Sequence, residues 1–537
     1  MLAVSCGRKP SPPQEIPTAL QDIQQRQGFL RIKLSEHSGG RAYQVFSPGG
    51  LRFVNPDGSE PFRYPDRSPV TLSFHPIYSH HNFWRLVLRR FAVNEREKAE
   101  ALARHYEQEL GARTEIIEVP FHRPWSMARR TAGAQLLLTI GRFDNEDDAR
   151  AIRATIPDIT SATLHLDTDH NLAGLINISD RTGRVIGQMM AEGSAQPLDS
   201  LYPVSLRKMD GASTQTLRQR GTYRGGIQFF PEEDGSFLPV NVVNIEDYIS
   251  SVVPGEIGDF APEEALKAQA VAARSEALCK LAWGTRHLDN RFDFVDGQMD
   301  QVYLGVPKED ARCTAAVRAT RGEVLLYKNK VIDAVYSHSC GGIRATSEDI
   351  WGGIPVPYLK NKVDYSQWPA DWNLTRKVDM QRWIASSPCV YCNPDQHGFP
   401  EYAKKFFRWQ KTVPLEEINR RFNDRGYAIG DLKEIRITKR TASGRVKELQ
   451  AVGSARTATI TNGDSIYVLM GELHSNFFYY EPEMKDGKVV ALTFHGAGFG
   501  HGVGMCQIGA YMMAKHGWNY QDILYHYFSE VELRKLY

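Results

Sequence analysis

Between Phe83 and about Asp167 the apolar and polar positions run in two matching halves. An apolar stretch, Phe83 to Val93, leads through Arg90 and Phe91 into the charged, helical Asn94 to Gly111. A second, Ala134 to Phe143, leads through Arg142 and Phe143 into Asn145 to Ile156. With strand-like Thr114 to Val119 and Ala162 to Leu166 added, the order is βαββαβ, a split sheet with helices on one face. From Gly174 to Val243 the pattern becomes short strands broken by Gly and Asp turns, such as Asp234 and Gly235 between Phe229 and Leu238. Pro262 then opens a helix with Glu263 and Glu264 in its first turn. Leu266, Ala270, Ala273, Ala277 and Leu281 share one of its faces, which predicts packing in a core. Strand-like Gly322 to Ser337, a loop-rich region, strand patterns from Leu432 to Leu492 and a last helix from Cys506 to about His516 follow.

At 537 residues the chain is too long for one compact core. The fold class expected is α+β and multi-domain: a start and linker over 1–25, an N-terminal α+β domain over 26–170 with the βαββαβ pattern at 83–167, a β-rich connecting region over 171–230, and a C-terminal domain over 231–537. Composition is ordinary for a globular protein, with 42% hydrophobic and 24% charged residues. Lys and Arg nearly balance Asp and Glu, 65 against 63, so nothing points to nucleic acid. No run of about 20 apolar residues is present, which excludes a membrane-spanning helix but not a lipid anchor.

The opening residues Met1 to Gly7 place small residues before Cys6, and the proline-rich Arg8 to Glu15 reads as a flexible tether. This resembles the end of a bacterial lipoprotein signal, although the basic and long apolar parts of a signal peptide are missing. The expectation is lipidation at Cys6, with an ordinary N-terminal cysteine as the alternative. The other six of the seven cysteines are scattered, so compartment is not legible from them. Only Cys389 and Cys392 have a suggestive spacing.

Three ordered blocks carry the strongest signal. Val240 to Arg274 reads VNVVNIEDYISSVVPGEIGDFAPEEALKAQAVAAR; His338 to Gly342 reads HSCGG, with Trp351, Pro357, Tyr358 and Leu359 downstream. Gly498 to Ala510 reads GFGHGVGMCQIGA, with Gly517, Tyr520, Ile523, Leu524, His526 and Tyr527 beyond it. These blocks resemble the SpoIID/LytB domain family (stage II sporulation protein D type) over about 300 residues, a far more specific match than one short motif. The resemblance implies a mixed, β-rich SpoIID-like catalytic domain over 231–537. It also implies a cell-envelope protein acting outside the cytoplasmic membrane. Family members include lytic transglycosylases that cut denuded peptidoglycan strands and proteins described as enhancers of wall amidases. The partners expected are therefore glycan strands and, in the second case, a wall amidase. Sporulation itself is not implied. The βαββαβ pattern in turn resembles SPOR domains, which bind glycan strands lacking stem peptides; a generic ferredoxin-like spacer remains the alternative.

The family's catalytic glutamate falls on Glu256. Pro254 and Gly255 are expected to form a turn ahead of the Pro262 helix, an exposed place for a carboxyl. One carboxyl suffices if it protonates the leaving oxygen and then, as carboxylate, takes the proton of the C6 hydroxyl that attacks C1. Candidate substrate contacts are Gln269, Arg274, His501 and Gln507. Gln269 and Arg274 are about 140° apart on their helix, so at most one is expected to line the site, and Arg274 has an ion pair as its alternative role. The glycines at 498, 500, 502 and 504 are expected to bring backbone close to a sugar beside His501 and Gln507; alternatively, His501 satisfies buried backbone groups.

Cys389 and Cys392, with Cys340 and His338, form a plausible tetrahedral zinc set, and the resemblance adds that some family members bind zinc near this block. His397 competes with His338 as fourth ligand, and a Cys389–Cys392 disulfide or free thiols are the alternative. A full shell of protein ligands makes such zinc structural. A zinc hydrolase built on the same residues is disfavoured, since no His-Glu-x-x-His is present and no position stays open for water.

Overall fold

The computed structural model describes residues 28–76, 82–92, 96–110, 114–120, 134–155, 163–168, 174–209, 221–232, 234–283, 291–365 and 372–537. Cys6 and the expected tether lie outside them. Helices and sheets are mixed throughout, as expected of an α+β chain.

The domain boundary expected near 170 does not separate the strands on either side of it. Residues 29–76 do not stand with the βαββαβ segment; their strands pair with strands from 174–244. Phe29–Lys33 runs antiparallel to Phe237–Asn244 with Leu30 opposite Val243. Leu51–Val54 pairs with Ser194–Pro197, Val70–Pro76 with Gly174–Ser179, and Ala42–Phe46 with Val204–Lys208. A seven-stranded and a six-stranded sheet result. Both send alternate side chains into one core, Leu30, Ile32, Phe53 and Ile227 from one, Tyr43, Val45, Leu72 and Ile178 from the other. Strand patterns are local and carry no mark of a distant partner, so the split origin of these sheets is invisible in periodicity.

The segment between Pro76 and Gly174 is an insertion. Its described strands Asn82–Ala92, Thr114–Pro120, Ala134–Phe143 and Thr163–Thr168 form an antiparallel sheet in the order fourth, first, third, second. The helices α1 (Arg96–Leu110) and α2 (Glu146–Thr155) pack against that sheet. It has its own small core of Leu86, Leu88, Ala103, Leu138 and Ile140.

Strand Phe237–Asn244 feeds directly into α3 (Ile245–Glu256), whose Asn244 N-cap accepts from the Glu246 N–H. Pro254 and Gly255 lie in the last turn of α3, so Glu256 ends a helix and is not part of a separate turn. The next helix, α4 (Glu263–Trp283), is buried along much of its length, with Ala265, Leu266, Ala270, Ala273 and Ala277 all in the main core. Alanines at these positions allow close helix contact on several sides. Residues 408–494 gather around a second core that includes Trp409, Phe422, Leu449 and Phe494. The chain then returns to the main core with α5 (Gln507–Lys515).

Candidate functional site

Glu256 ends α3 half-buried, with its Oε1 accepting the Val302 N–H at 2.8 Å. Burial lifts its carboxyl to about 7; the Val302 and Gln507 hydrogen bonds and Lys280 pull the other way, while Glu276 adds to the lift. The negative end of the helix dipole acts in the same direction as burial. Gln507, the first residue of α5, hydrogen-bonds this carboxyl and donates through Nε2 to Gln269 Oε1 at 3.3 Å. Gln269 is fully buried and its own amide nitrogen has no partner. Glu276, two turns further along α4, is held by Lys280 at 2.5 Å and by the Gln301 amide at 2.9 Å. Gln301 in turn bonds the Ala273 carbonyl, which fixes the segment carrying the Val302 N–H against α4. An acid poised near neutrality, fixed by a backbone donor and an amide, is suited to giving and taking a proton at one place.

Behind α5 lies a second constellation. Cys340, Asp364, Cys392 and Cys506 are all buried, with ligand atoms within 4.8 Å of one another, a set able to hold a metal ion. The Cys340 and Cys392 sulfurs are 3.8 Å apart and Asp364 Oδ2 is 3.5 Å from Cys340. His526 and Tyr527 grip Asp364 through Oδ1, at 3.2 and 2.8 Å, leaving Oδ2 toward the thiols. Cys506 caps α5, accepting from the Gly509 N–H. Burial opposes its ionisation, yet hydrogen bonds from Cys340 and Cys392 draw the thiol down to about 5.

Residues 233–327 match the Stage II sporulation protein family, and residues 345–504 match a domain of unknown function (DUF8618). An uncharacterized protein of Brachyspira hyodysenteriae is 30% identical over 311 residues, spanning 58% of this chain and 72% of its own. The chain belongs to the SpoIID/LytB family. Stage II sporulation protein D of Bacillus amyloliquefaciens is 28% identical over 310 residues, covering 55% of this chain and 75% of that one. The amidase enhancer of Bacillus subtilis is 29% identical over 301 residues, 53% of this chain but only 40% of the enhancer.

Against the family's pattern, Glu256, Gln269 and Gln507 come together, and two other expected substrate contacts do not join them. Arg274 is fully buried and binds Glu246 in bidentate fashion, at 2.9 and 2.7 Å, with further bonds to the Glu323 and Val317 carbonyls. It ties α4 to the start of α3 and has no face left for a sugar. His501 Nδ1 accepts from the Val503 N–H at 3.0 Å and the ring also bonds the Tyr336 backbone, so it satisfies buried backbone groups. The glycines beside it pack on protein. A Cβ at Gly502 would strike the Arg445 guanidinium and one at Gly504 the Val335 carbonyl, and both hold positive φ.

The metal set also differs from expectation. Cys340 and Cys392 belong to it, whereas Cys389 is exposed and His397 lies on the surface. His338 sits among Tyr402, Phe406 and Phe499, its Nε2 unpartnered and its pKa lowered by burial to about 4. Asp364 and Cys506 replace these residues. The available signal was that Cys506 stands inside the third family block, next to Gln507, and that His526 and Tyr527 are among the matching residues beyond it.

Proposed function

We propose that this SpoIID/LytB member is a peptidoglycan lytic transglycosylase of the cell envelope, using Glu256 as its single acid and base. The observation that carries this reading is a carboxyl lifted to about 7 by burial and held by Val302 and Gln507. Near neutral pH both protonation states are populated, which suits a group that must act in each. In the first step protonated Glu256 gives its proton to the glycosidic oxygen as the C1–O bond breaks. In the second the carboxylate removes the C6 hydroxyl proton while that oxygen bonds to C1, closing an anhydro ring and restoring the acid. No water is consumed. Gln507 and Val302 hold the carboxyl in one orientation through both steps.

The relatives named stage II sporulation protein D and amidase enhancer favour a cell-wall role outside the cytoplasm. No helix among the described residues is long and apolar enough to cross a membrane. A lipid at Cys6 would attach the chain. A SPOR-like insertion would bind glycan strands. The thiol cluster suits zinc, because tetrahedral Zn–S bonds of about 2.3 Å set sulfurs about 3.8 Å apart, the spacing of Cys340 and Cys392. With Asp364 and Cys506 the shell is full, so zinc would supply rigidity, pinning the N-terminus of α5 where Gln507 meets Glu256.

The second reading, a non-catalytic stimulator of a wall amidase, is favoured by the match to the amidase enhancer. Mass spectrometry of soluble products from denuded and intact peptidoglycan separates the two, comparing the wild type with Glu256→Gln. Anhydro-muramyl products from the wild type alone are expected. Binding without sugar release by either protein would give the answer to the stimulator.

A further inference from the structure

Helix α5 carries Gln507, Tyr511 and Lys515 at successive four-residue steps, so one stripe of the helix leads away from Glu256 for about 12 Å. Phe260, four residues beyond the acid, lies 6.4 Å from the Tyr511 ring and 5.2 Å from the Tyr402 ring. His338 links Tyr402 to Phe499, which stacks on Phe406 at 4.6 Å. Phe260, Tyr402 and Phe499 remain 48%, 41% and 36% exposed, whereas Tyr511 is buried in the main core. Tyr402 and Phe406 come from the segment outside the matched Stage II sporulation protein region, so they are features of this chain's larger architecture.

Cations border the rings. Lys515 lies over Tyr511 and Lys405 over Phe406, with no ion pair to either ammonium among the described residues. Glu401, beside Tyr402, is neutralised by Lys404 at 2.5 Å. Exposed aromatic faces with adjacent unpaired ammonium groups complement a polymer of pyranose rings that carries carboxylates. The C–H face of each ring covers an aromatic one, and each carboxylate meets a lysine.

We propose that Phe260 and Tyr402, backed by the buried Tyr511 and joined by Lys515, form a saccharide track that holds an acidic glycan strand on one side of Glu256. Its sugars stack on the two exposed rings, and Lys515 pairs with the free lactyl carboxylate of a muramic acid about one helix-stripe away from the cut. This rests on the reading of Glu256 as acting on glycan strands.

The test uses full-length protein carrying Glu256→Gln to prevent turnover, and glycan strands stripped of peptides, either untreated or with lactyl carboxyls amidated. Calorimetry measures binding for that protein and for the added substitutions Phe260→Ala, Tyr402→Ala and Lys515→Gln, each first checked for an unchanged melting temperature. Both aromatic changes are expected to weaken binding about tenfold, and Lys515→Gln to abolish the preference for untreated over amidated strands. Unchanged affinity in both aromatic variants overturns the track; a preference that survives Lys515→Gln overturns the lysine's role. Strand binding that depends on the rings, in a protein whose wild type cuts nothing, keeps the track and removes the transglycosylase reading. Absence of strand binding by the parent protein removes both.

Discussion

Cys506 and Gln507 are consecutive residues that face opposite ways: the thiol joins the cluster with Cys340, Cys392 and Asp364, and the amide meets the Glu256 carboxyl. Whatever loosens the cluster must therefore loosen the orientation of the acid. If the cluster holds zinc, Cys392→Ser, or treatment with a chelator, is expected to lower the melting temperature by several degrees. It should also move the alkaline limb of any pH–rate profile to higher pH, because protonated Glu256 acts first and Gln507 no longer helps to hold its carboxylate. Bound zinc by elemental analysis and the pH profile are read on the same preparations; a variant that loses zinc while keeping its profile disproves the coupling.

Glu256 makes a signed prediction about stability. Its folded pKa stands at about 7 against an ordinary value of 4.5, so the carboxyl's contribution is fully favourable below the unfolded pKa and is lost as pH rises through the folded one. Ionising it in place costs about 3 kcal/mol at most, less because the residue retains some exposure. Glu256→Gln should therefore match the wild type at pH 4 and exceed it by about 1–3 kcal/mol at pH 8 in denaturant titrations. Equal stability at both values would show that the carboxyl is not strained by burial.

Arg274 behaves as a brace. Its ion pair with Glu246 is buried, with the arginine side chain at 0% and the glutamate at 10% exposure. Arg274→Met should cost about 3–5 kcal/mol by stranding Glu246, and the double change with Glu246→Gln should cost less than the two single losses added together. The cycle is measured by chemical unfolding. Additive losses would mean that the pair is not coupled.

His338 is a buried neutral ring rather than a ligand. With its pKa lowered to about 4, it withdraws stability as pH falls from about 6.5 through that value, since the ring must charge where there is no partner. His338→Phe is expected to bind as much metal as the wild type and to lose less stability between pH 6.5 and 4. Loss of stoichiometric metal in that variant would restore the histidine to the coordination shell.

The legibility of the site followed chain distance. Glu256 stood out because a long ordered block surrounds it, and the 100° step of a helix was enough to separate Gln269 from Arg274. The metal cluster was only half legible. Cys389 and Cys392 invite pairing by their spacing, but the loop turns Cys389 outward and buries Cys392, while Asp364 and Cys506 arrive from segments far away in the chain. Spacing reads neighbours along the backbone, and these ligands are neighbours only across a folded core. The same limit hid the pairing of 29–76 with 174–244, since neither segment carries a mark of its distant partner.

Pro76 and Gly174 sit directly opposite one another on adjacent antiparallel strands, so the insertion leaves and rejoins the sheet at almost one point. Nearly a hundred residues hang from what could have been a hairpin loop. A deletion that joins these strands through a two-residue turn such as Asn-Gly would preserve their register. The insertion is thus placed as a cassette, joined to the sheet through one pair of strands.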